Sequence, residues 1–148
     1  MSHLDDDGER VRAALVTGAS GGLGRACCHA LAASGLHVVI ADLDVEAAAK
    51  VATGIEEAGG SARVVGLDVR DREAAESVVR EVVEEHRGID VVVNLAGVLR
   101  NQMLTKIDDD DFDLVMSTHV KGTLNTMRAA VPHMRERGYG RIVNMSSI

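Results

Sequence analysis

A glycine-rich turn near the start of the chain constrains the fold more than any other feature. Glycines stand at Gly18, Gly22 and Gly24, between an apolar run at 13–17 and a helix-forming segment at 23–34. Such a turn predicts a strand that ends sharply and a helix whose N-terminus points at an anion. Gly18 would permit the tight turn, Gly22 the approach of a pyrophosphate to the backbone, and Gly24 close packing of the helix on the sheet. We therefore expect a phosphate-binding site at this turn.

Short apolar runs alternate with helical patterns along the rest of the chain. The runs predict strands at 13–17, 37–41, 62–67, 89–94 and 141–145, with helices at 23–34, 45–58, 72–86 and 112–134 between them. Because these strands are continuously apolar, they indicate a parallel sheet covered by helices on both faces. The predicted fold class is α/β, a doubly wound, Rossmann-type sheet over residues 11–148 after a polar tail at 1–10. Pro132 is expected to end or kink the last helix late.

Composition and charge weigh against several classes of protein. The net charge of −7 argues against nucleic acid as a partner, because such binding depends on clustered Lys and Arg. No apolar run approaches the roughly 18 residues of a membrane span, so no membrane partner is expected. The polar first ten residues also lack the apolar core of a signal peptide, which predicts a cytoplasmic protein. The adjacent Cys27 and Cys28 are expected to be buried free thiols.

Acidic side chains stand where two predicted strands end. Asp42 ends the second strand 18 positions after Gly24, near the spacing of about 20 expected of the acid that binds an adenosine ribose. Its charge would repel a 2′-phosphate and Leu43 offers no basic group, so NAD is favoured over NADP. The alternative role for Asp42 is a helix cap, for which Asp44 is better placed. Asp68 ends the third strand and could bind an adenine amino group or cap the next helix.

Together these motifs resemble the short-chain dehydrogenase/reductase family. The matching segments are the TGxxxGxG turn at 17–24, Asp42, the Asp-Val pair at 68–69, the NNAG motif at 94–97 and the strand-5 end at 140–147. The resemblance runs from about Arg12 to the last residue. It implies hydride transfer between nicotinamide and an alcohol or carbonyl carbon. The cofactor-binding residues are then Gly18, Ser20, Gly21, Gly22, Leu23, Gly24, Asp42, Leu43, Asp68, Val69, Asn94, Ala96 and Gly97.

The resemblance also implies two residues at the reacting centre. Ser147 aligns with the family's catalytic serine, whose hydroxyl would polarise the substrate oxygen. His119 aligns with an asparagine that holds a water in the family's proton relay; the alternative is a ring that happens to lie on the inner face of the helix. A histidine at this position and the segment 97–101 both resemble the corresponding parts of 3-hydroxyacyl-CoA dehydrogenases and 3-oxoacyl carrier-protein reductases. The other histidines show no ligand spacing, so no metal is predicted. Leu95 departs from the NNAG motif.

A second departure concerns the family's Tyr-x-x-x-Lys. Tyr139 is the only tyrosine, and Val143 rather than lysine stands four residues later. We therefore expect a domain truncated after the fifth strand and inactive alone, from a longer NAD-dependent oxidoreductase with a small-molecule substrate. The alternative is a non-catalytic dinucleotide-binding module. Because the helix at 112–134 has more apolar positions than one sheet face can cover, we expect a homo-oligomer, a dimer or tetramer, formed through it.

Overall fold

The computed structural model describes residues 10–146, and its elements follow the predicted alternation. The strands are β1 (Ala13–Thr17), β2 (His37–Asp42), β3 (Ser61–Gly66), β4 (Val91–Asn94) and β5 (Arg141–Asn144). The helices are α1 (Gly22–Ala33), α2 (Val45–Glu57), α3 (Arg72–His86), α4 (Asp109–Met116) and α5 (Gly122–Arg137), with a 3-10 turn at Leu104–Lys106. The predicted tail, apart from Arg10, and Ser147 lie outside the described residues.

The five strands form one parallel sheet in the order β3-β2-β1-β4-β5. Strand β1 is central, so the chain winds outward through β2 and β3 on one side and through β4 and β5 on the other. The prediction of a doubly wound parallel sheet is confirmed. Thr17 pairs with Asn94 where β1 and β4 end together, at the point where the winding reverses. In such sheets ligands bind in the crevice outside this point.

Side chains of the sheet divide between two apolar layers. Leu15 packs in the cluster that contains residues of α3 and α5, whereas its neighbour Val16 packs in the cluster that contains residues of α1 and α2. Both side chains are fully buried, as expected for a strand covered on both faces. Cys27 and Cys28 are free thiols, and burial raises the pKa of Cys28 to about 12. Cys28 is therefore an inert core residue, as predicted, while Cys27 is only partly buried.

Aspartate side chains cap the N-termini of three helices. The capping carboxylates are those of Asp44, Asp71 and Asp108, and each accepts a hydrogen bond of 2.8 to 3.0 Å from the backbone N–H three residues later. Helices α2 and α3 are therefore capped by Asp44 and Asp71, and not by Asp42 and Asp68. Helix α1 differs, because its N-cap is Gly21 and no side chain bonds to its first turn.

The segment predicted as one helix at 112–134 contains a widened turn. A π-helical turn at Ser117–Lys121 joins α4 to α5, so that the helical path runs from Asp109 to Arg137. Pro132, expected to end or kink it late, does not end it, because α5 continues to Arg137. A proline inside a helix costs about 3 kcal/mol. Packing of the last turns of α5 against α3 offsets this cost, with Ala129, Ala130 and Met134 buried.

The buried face of this helical path includes polar residues, while several large apolar side chains of the path are exposed. Asn125 and Thr126 are buried polar residues on α5. Four large apolar side chains spaced four residues apart are instead 40 to 56% exposed: Phe112, Met116, Val120 and Leu124. These four side chains are part of the apolar surplus that the sequence indicates for this helix, beyond what one sheet face can cover. No helix within residues 10–146 is long and apolar enough to cross a membrane.

Candidate functional site

A cavity of about 370 Å³ lies at the carboxyl ends of the strands, where the winding reverses. Most of the predicted cofactor-binding residues line it, namely Gly18, Ser20, Gly21, Asp42, Leu43, Asp68, Val69, Ala96 and Gly97. The volume is within the range of about 300–1,000 Å³ that is typical of small-molecule sites. The structure thus brings together residues that follow four different strands. Gly22, Leu23 and Gly24 belong to the adjoining first turn of α1.

The glycines of the turn after β1 have three different environments. Gly18 has a φ of 64°, in the left-handed region, and a Cβ there would lie 2.7 Å from the backbone of Ala96. A Cβ on Gly24 would overlap the carbonyl oxygen of Gly18. A Cβ on Gly22, by contrast, would meet no atom within 4 Å. Open space therefore lies over Gly22, in the first turn of α1. Among helices α1–α4, this is the only first turn that no side chain caps.

Hydrogen bonds from the glycine turn hold Asp42 at the end of β2. The backbone N–H and the hydroxyl of Ser20 donate to Oδ2 at 2.9 and 2.8 Å, and the N–H of Asp44 donates to Oδ1 at 3.0 Å. Partial burial alone would raise the pKa of Asp42, but these hydrogen bonds outweigh it and the pKa is lowered. The lining of the cavity therefore includes a negative charge that is hydrogen-bonded to the glycine turn.

Asp68 forms an ion pair with Arg70 at the wall of the same cavity. The Nε of Arg70 lies 2.9 and 3.1 Å from the two carboxylate oxygens, and its second nitrogen, Nη2, lies 2.6 Å from Oδ2. Hydrogen bonding to Arg70 lowers the pKa of Asp68. Among the described residues that line this cavity, Arg70 is the only cation. The sequence pattern did not single it out, although it follows the strand-end acid by two positions.

A second cavity, of about 570 Å³, adjoins the first across the segment 95–98 and is lined by His119. The Nε2 of His119 lies 3.1 Å from the backbone nitrogen and 2.9 Å from the carbonyl oxygen of Val98. A Cβ on Gly97 would overlap the ring. The π-helical turn thus places the imidazole against the loop that follows β4.

The side chain of Asn94 is buried and bonded within the protein. Its Nδ2 donates to Oδ1 of Asn144 at 2.8 Å, and its Oδ1 accepts from the hydroxyl of Thr126 at 2.6 Å. The hydroxyl of Thr17 accepts from the backbone N–H groups of residues 95 and 96, both at 3.3 Å. These contacts fix the end of β4 beside β1. Thr126 and Asn144 could not be predicted, because their role depends on a helix and a strand that are remote in sequence.

Known proteins with similar sequences identify the family to which this chain is related. The chain matches the family model "short chain dehydrogenase" over residues 12–148. It is 41% identical to the "Peroxisomal multifunctional enzyme type 2" of Mus musculus, with 92% of this chain and 19% of that one covered. It is 34% identical to the "3-oxoacyl-[acyl-carrier-protein] reductase FabG" of Thermotoga maritima, with 90% and 54% covered.

One solved structure resembles this chain in both fold and sequence. It is a metagenomic short-chain oxidoreductase in complex with NADP, with a TM-score of 0.88 and 33% identity, covering 93% of this chain and 62% of that one. The chain spans about half the length of the bacterial relatives that it matches. Since the family model covers nearly the whole sequence and the fold agrees, the chain belongs to the short-chain dehydrogenase family.

Proposed function

We propose that this chain forms the NAD(H)-binding part of an oxidoreductase that acts on an alcohol or carbonyl substrate. The observation that carries the choice of NAD is the Asp42 carboxylate, which is held by Ser20 and lines the cavity with the apolar Leu43 beside it. Ribose hydroxyls can donate to a carboxylate. Bound NAD(H) would supply or accept the hydride. We also propose the cytoplasm as the location.

The first turn of α1 and the space over Gly22 fit the pyrophosphate of a dinucleotide. Three other helices have a carboxylate at this position, whereas α1 has only Gly21. Backbone N–H groups and the helix dipole favour an anion there. In this proposal Asp68 and Val69 border the adenine, and Ala96 and Gly97 form the surface against which the nicotinamide ring lies.

Electrostatics disfavour the 2′-phosphate of NADP. Two unit charges about 4 Å apart repel by about 4 kcal/mol at an effective dielectric constant of 20. The cation of this cavity, Arg70, is already bonded to Asp68 through two nitrogens. A 2′-phosphate would therefore meet the Asp42 charge, and no other cation among the described residues lines the cavity to neutralise it.

For the reacting end we propose a 3-hydroxyacyl or 3-oxoacyl thioester as the substrate. The support is the similarity to a 3-oxoacyl carrier-protein reductase. In this proposal Ser147 hydrogen-bonds the substrate oxygen, and His119 positions the loop after β4 through Val98. No Tyr-x-x-x-Lys occurs within this sequence, so we assign none of its residues to the transfer of the proton on that oxygen.

The test compares both cofactors in the full-length protein. NADH should bind at least tenfold more tightly than NADPH in a fluorescence titration, which corresponds to about 1.4 kcal/mol. Asp42→Ala should narrow this ratio, mainly by strengthening the binding of NADPH. The matched control is Asp44→Ala, which removes the α2 cap and should lower stability by about 1 kcal/mol without changing the ratio.

Two outcomes would change this assignment. Equal affinities of the unaltered protein for NADH and NADPH would contradict the role of Asp42. Tight NADH binding without turnover of any 3-oxoacyl thioester by the full-length protein would instead favour the non-catalytic dinucleotide-binding module.

A further inference from the structure

Two histidines and a glutamate meet at the end of the sheet opposite the cofactor cavity. His37 is the first residue of β2, whose last residue is Asp42, whereas Glu85 and His86 end α3. One possible ligand atom from each of the three residues lies within 4.8 Å of the others. The proposed function does not use this cluster, and each member is a residue type that binds transition metals.

The two imidazole rings lie against each other in the protein interior. Their centroids are 4.4 Å apart, with 30° between the ring planes, and both residues are buried. A pair of imidazoles in such surroundings offers ring nitrogens of the kind that zinc prefers.

The carboxylate of Glu85 supplies the negative charge of the cluster. Its Oε1 lies 3.7 Å from Nε2 of His86, and its Oε2 lies 3.0 Å from Nε of Arg63. Ligand atoms of a tetrahedral zinc ion with bonds of about 2.1 Å are about 3.4 Å apart, so the first separation is close to that of a formed site. The Glu85 side chain is 33% exposed, which gives an ion a route from solvent.

A hydrogen bond outside the cluster orients His37. Its Nδ1 lies 2.6 Å from the hydroxyl oxygen of Ser61, the first residue of β3. Histidines that bind metals usually donate their other ring N–H to an oxygen, which fixes the tautomer. The contact with Ser61 would fix the ring orientation of His37 in the same way.

We propose that His37, Glu85 and His86 form a zinc site that joins the start of β2 to the end of α3. Two imidazoles and one carboxylate, with water in the fourth position, make up a known class of zinc site. Because the site lies far along β2 from Asp42, bound zinc acts by favouring the folded chain rather than in the reaction. Local spacing did not indicate it, since the ligands come from separate elements.

The experiment uses the full-length protein without a histidine tag. After treatment with EDTA and dialysis, we expect calorimetric titration with zinc chloride to give one zinc per chain, and Tm to rise with zinc concentration. Glu85→Gln and His86→Phe, which preserve the side-chain volumes, should abolish this stoichiometric binding. Ser61→Ala should weaken it about tenfold. Glu84→Gln, the exposed neighbour on α3, and His133→Gln on α5 are the matched controls and should bind zinc normally.

The result can be separated from the fate of the proposed function. NADH affinity, measured on the same samples, should be unchanged in every variant. A folded, EDTA-treated protein that binds no zinc would overturn the proposal. Unchanged zinc binding in both Glu85→Gln and His86→Phe would overturn it as well, because the ion would then lie elsewhere; Glu85 is partly exposed, so its variant is expected to fold.

Discussion

The three glycines of the first turn belong to one sequence motif but have different physical reasons to be glycine. Gly18 needs a left-handed backbone and Gly24 lies too close to the Gly18 carbonyl oxygen to carry a side chain. Gly22 has space around it. A side chain at Gly18 or Gly24 would collide with the backbone of the protein. A side chain at Gly22 would occupy only the space that we assign to the pyrophosphate.

Alanine substitutions should separate these roles. Gly22→Ala should change the free energy of unfolding by no more than about 0.5 kcal/mol while weakening NADH binding at least tenfold. Gly24→Ala should lower that free energy by about 1–3 kcal/mol, because its Cβ meets backbone that cannot easily shift. Urea unfolding and NADH titration on both variants provide the measurement. Unchanged NADH affinity in Gly22→Ala would contradict the assignment of the pyrophosphate to this turn.

The positions of the site residues could be predicted from the sequence, but their partners could not. Asp42 and Asp68 were identifiable because an acid that follows an apolar strand reaches the carboxyl edge of a parallel sheet wherever that strand lies. Their hydrogen bonds to Ser20 and Arg70 depend on loop conformation, which periodicity does not encode. Asn94 was identified as a site residue, yet its amide is bonded within the protein.

At the scale of the element, the widened turn at Ser117–Lys121 interrupts the single regular helix that the sequence pattern predicts at 112–134. A π-helical turn shifts the residues after it around the helix axis, so a constant period of 3.6 cannot follow both halves. The hydroxyls of Ser117 and Thr118 donate to the carbonyl of Leu114 at 3.1 and 2.8 Å. Such turns often occur at functional sites, and this one positions His119 against Val98.

Substitution of His119 should reveal whether it positions the loop or takes part in chemistry. His119→Asn, which restores the commoner family residue, should keep turnover of the full-length enzyme within about tenfold. His119→Leu cannot bond Val98 and should lose more turnover and raise the KM for NADH. Lys121→Gln, on the same turn, is the control. A correctly folded but inactive His119→Asn protein would show that the imidazole itself has a chemical step.

At the scale of the whole molecule, two of the regions with exposed apolar side chains are placed for association with another chain. One is the helical stripe of Phe112, Met116, Val120 and Leu124, and the other is at β5, where Val143 and Met145 are 47% and 50% exposed. Large contiguous apolar surface usually marks an interface. A strand with an unpaired edge adds a second route to association. The sheet order itself was predictable, because strand–helix alternation and right-handed crossovers leave few alternatives.

We therefore expect the 148-residue chain to associate in solution. Size-exclusion chromatography with light scattering should give a mass above the 15.7 kDa of one chain. Val120→Glu with Leu124→Glu should reduce the mass if the helical stripe is the interface, whereas Arg80→Glu, on α3, should leave it unchanged. A monodisperse monomer that unfolds cooperatively and binds NADH would contradict this expectation and favour the non-catalytic module.

The uncapped start of α1 has a consequence for how the protein would respond to metabolism. Where carboxylates complete the starts of the next three helices, a bound pyrophosphate would complete this one, so the ligand would add hydrogen bonds that the free chain lacks. Local opening of this turn and nucleotide occupancy are then thermodynamically linked. The lifetime of the protein in a cell would consequently depend on the abundance of its own coenzyme.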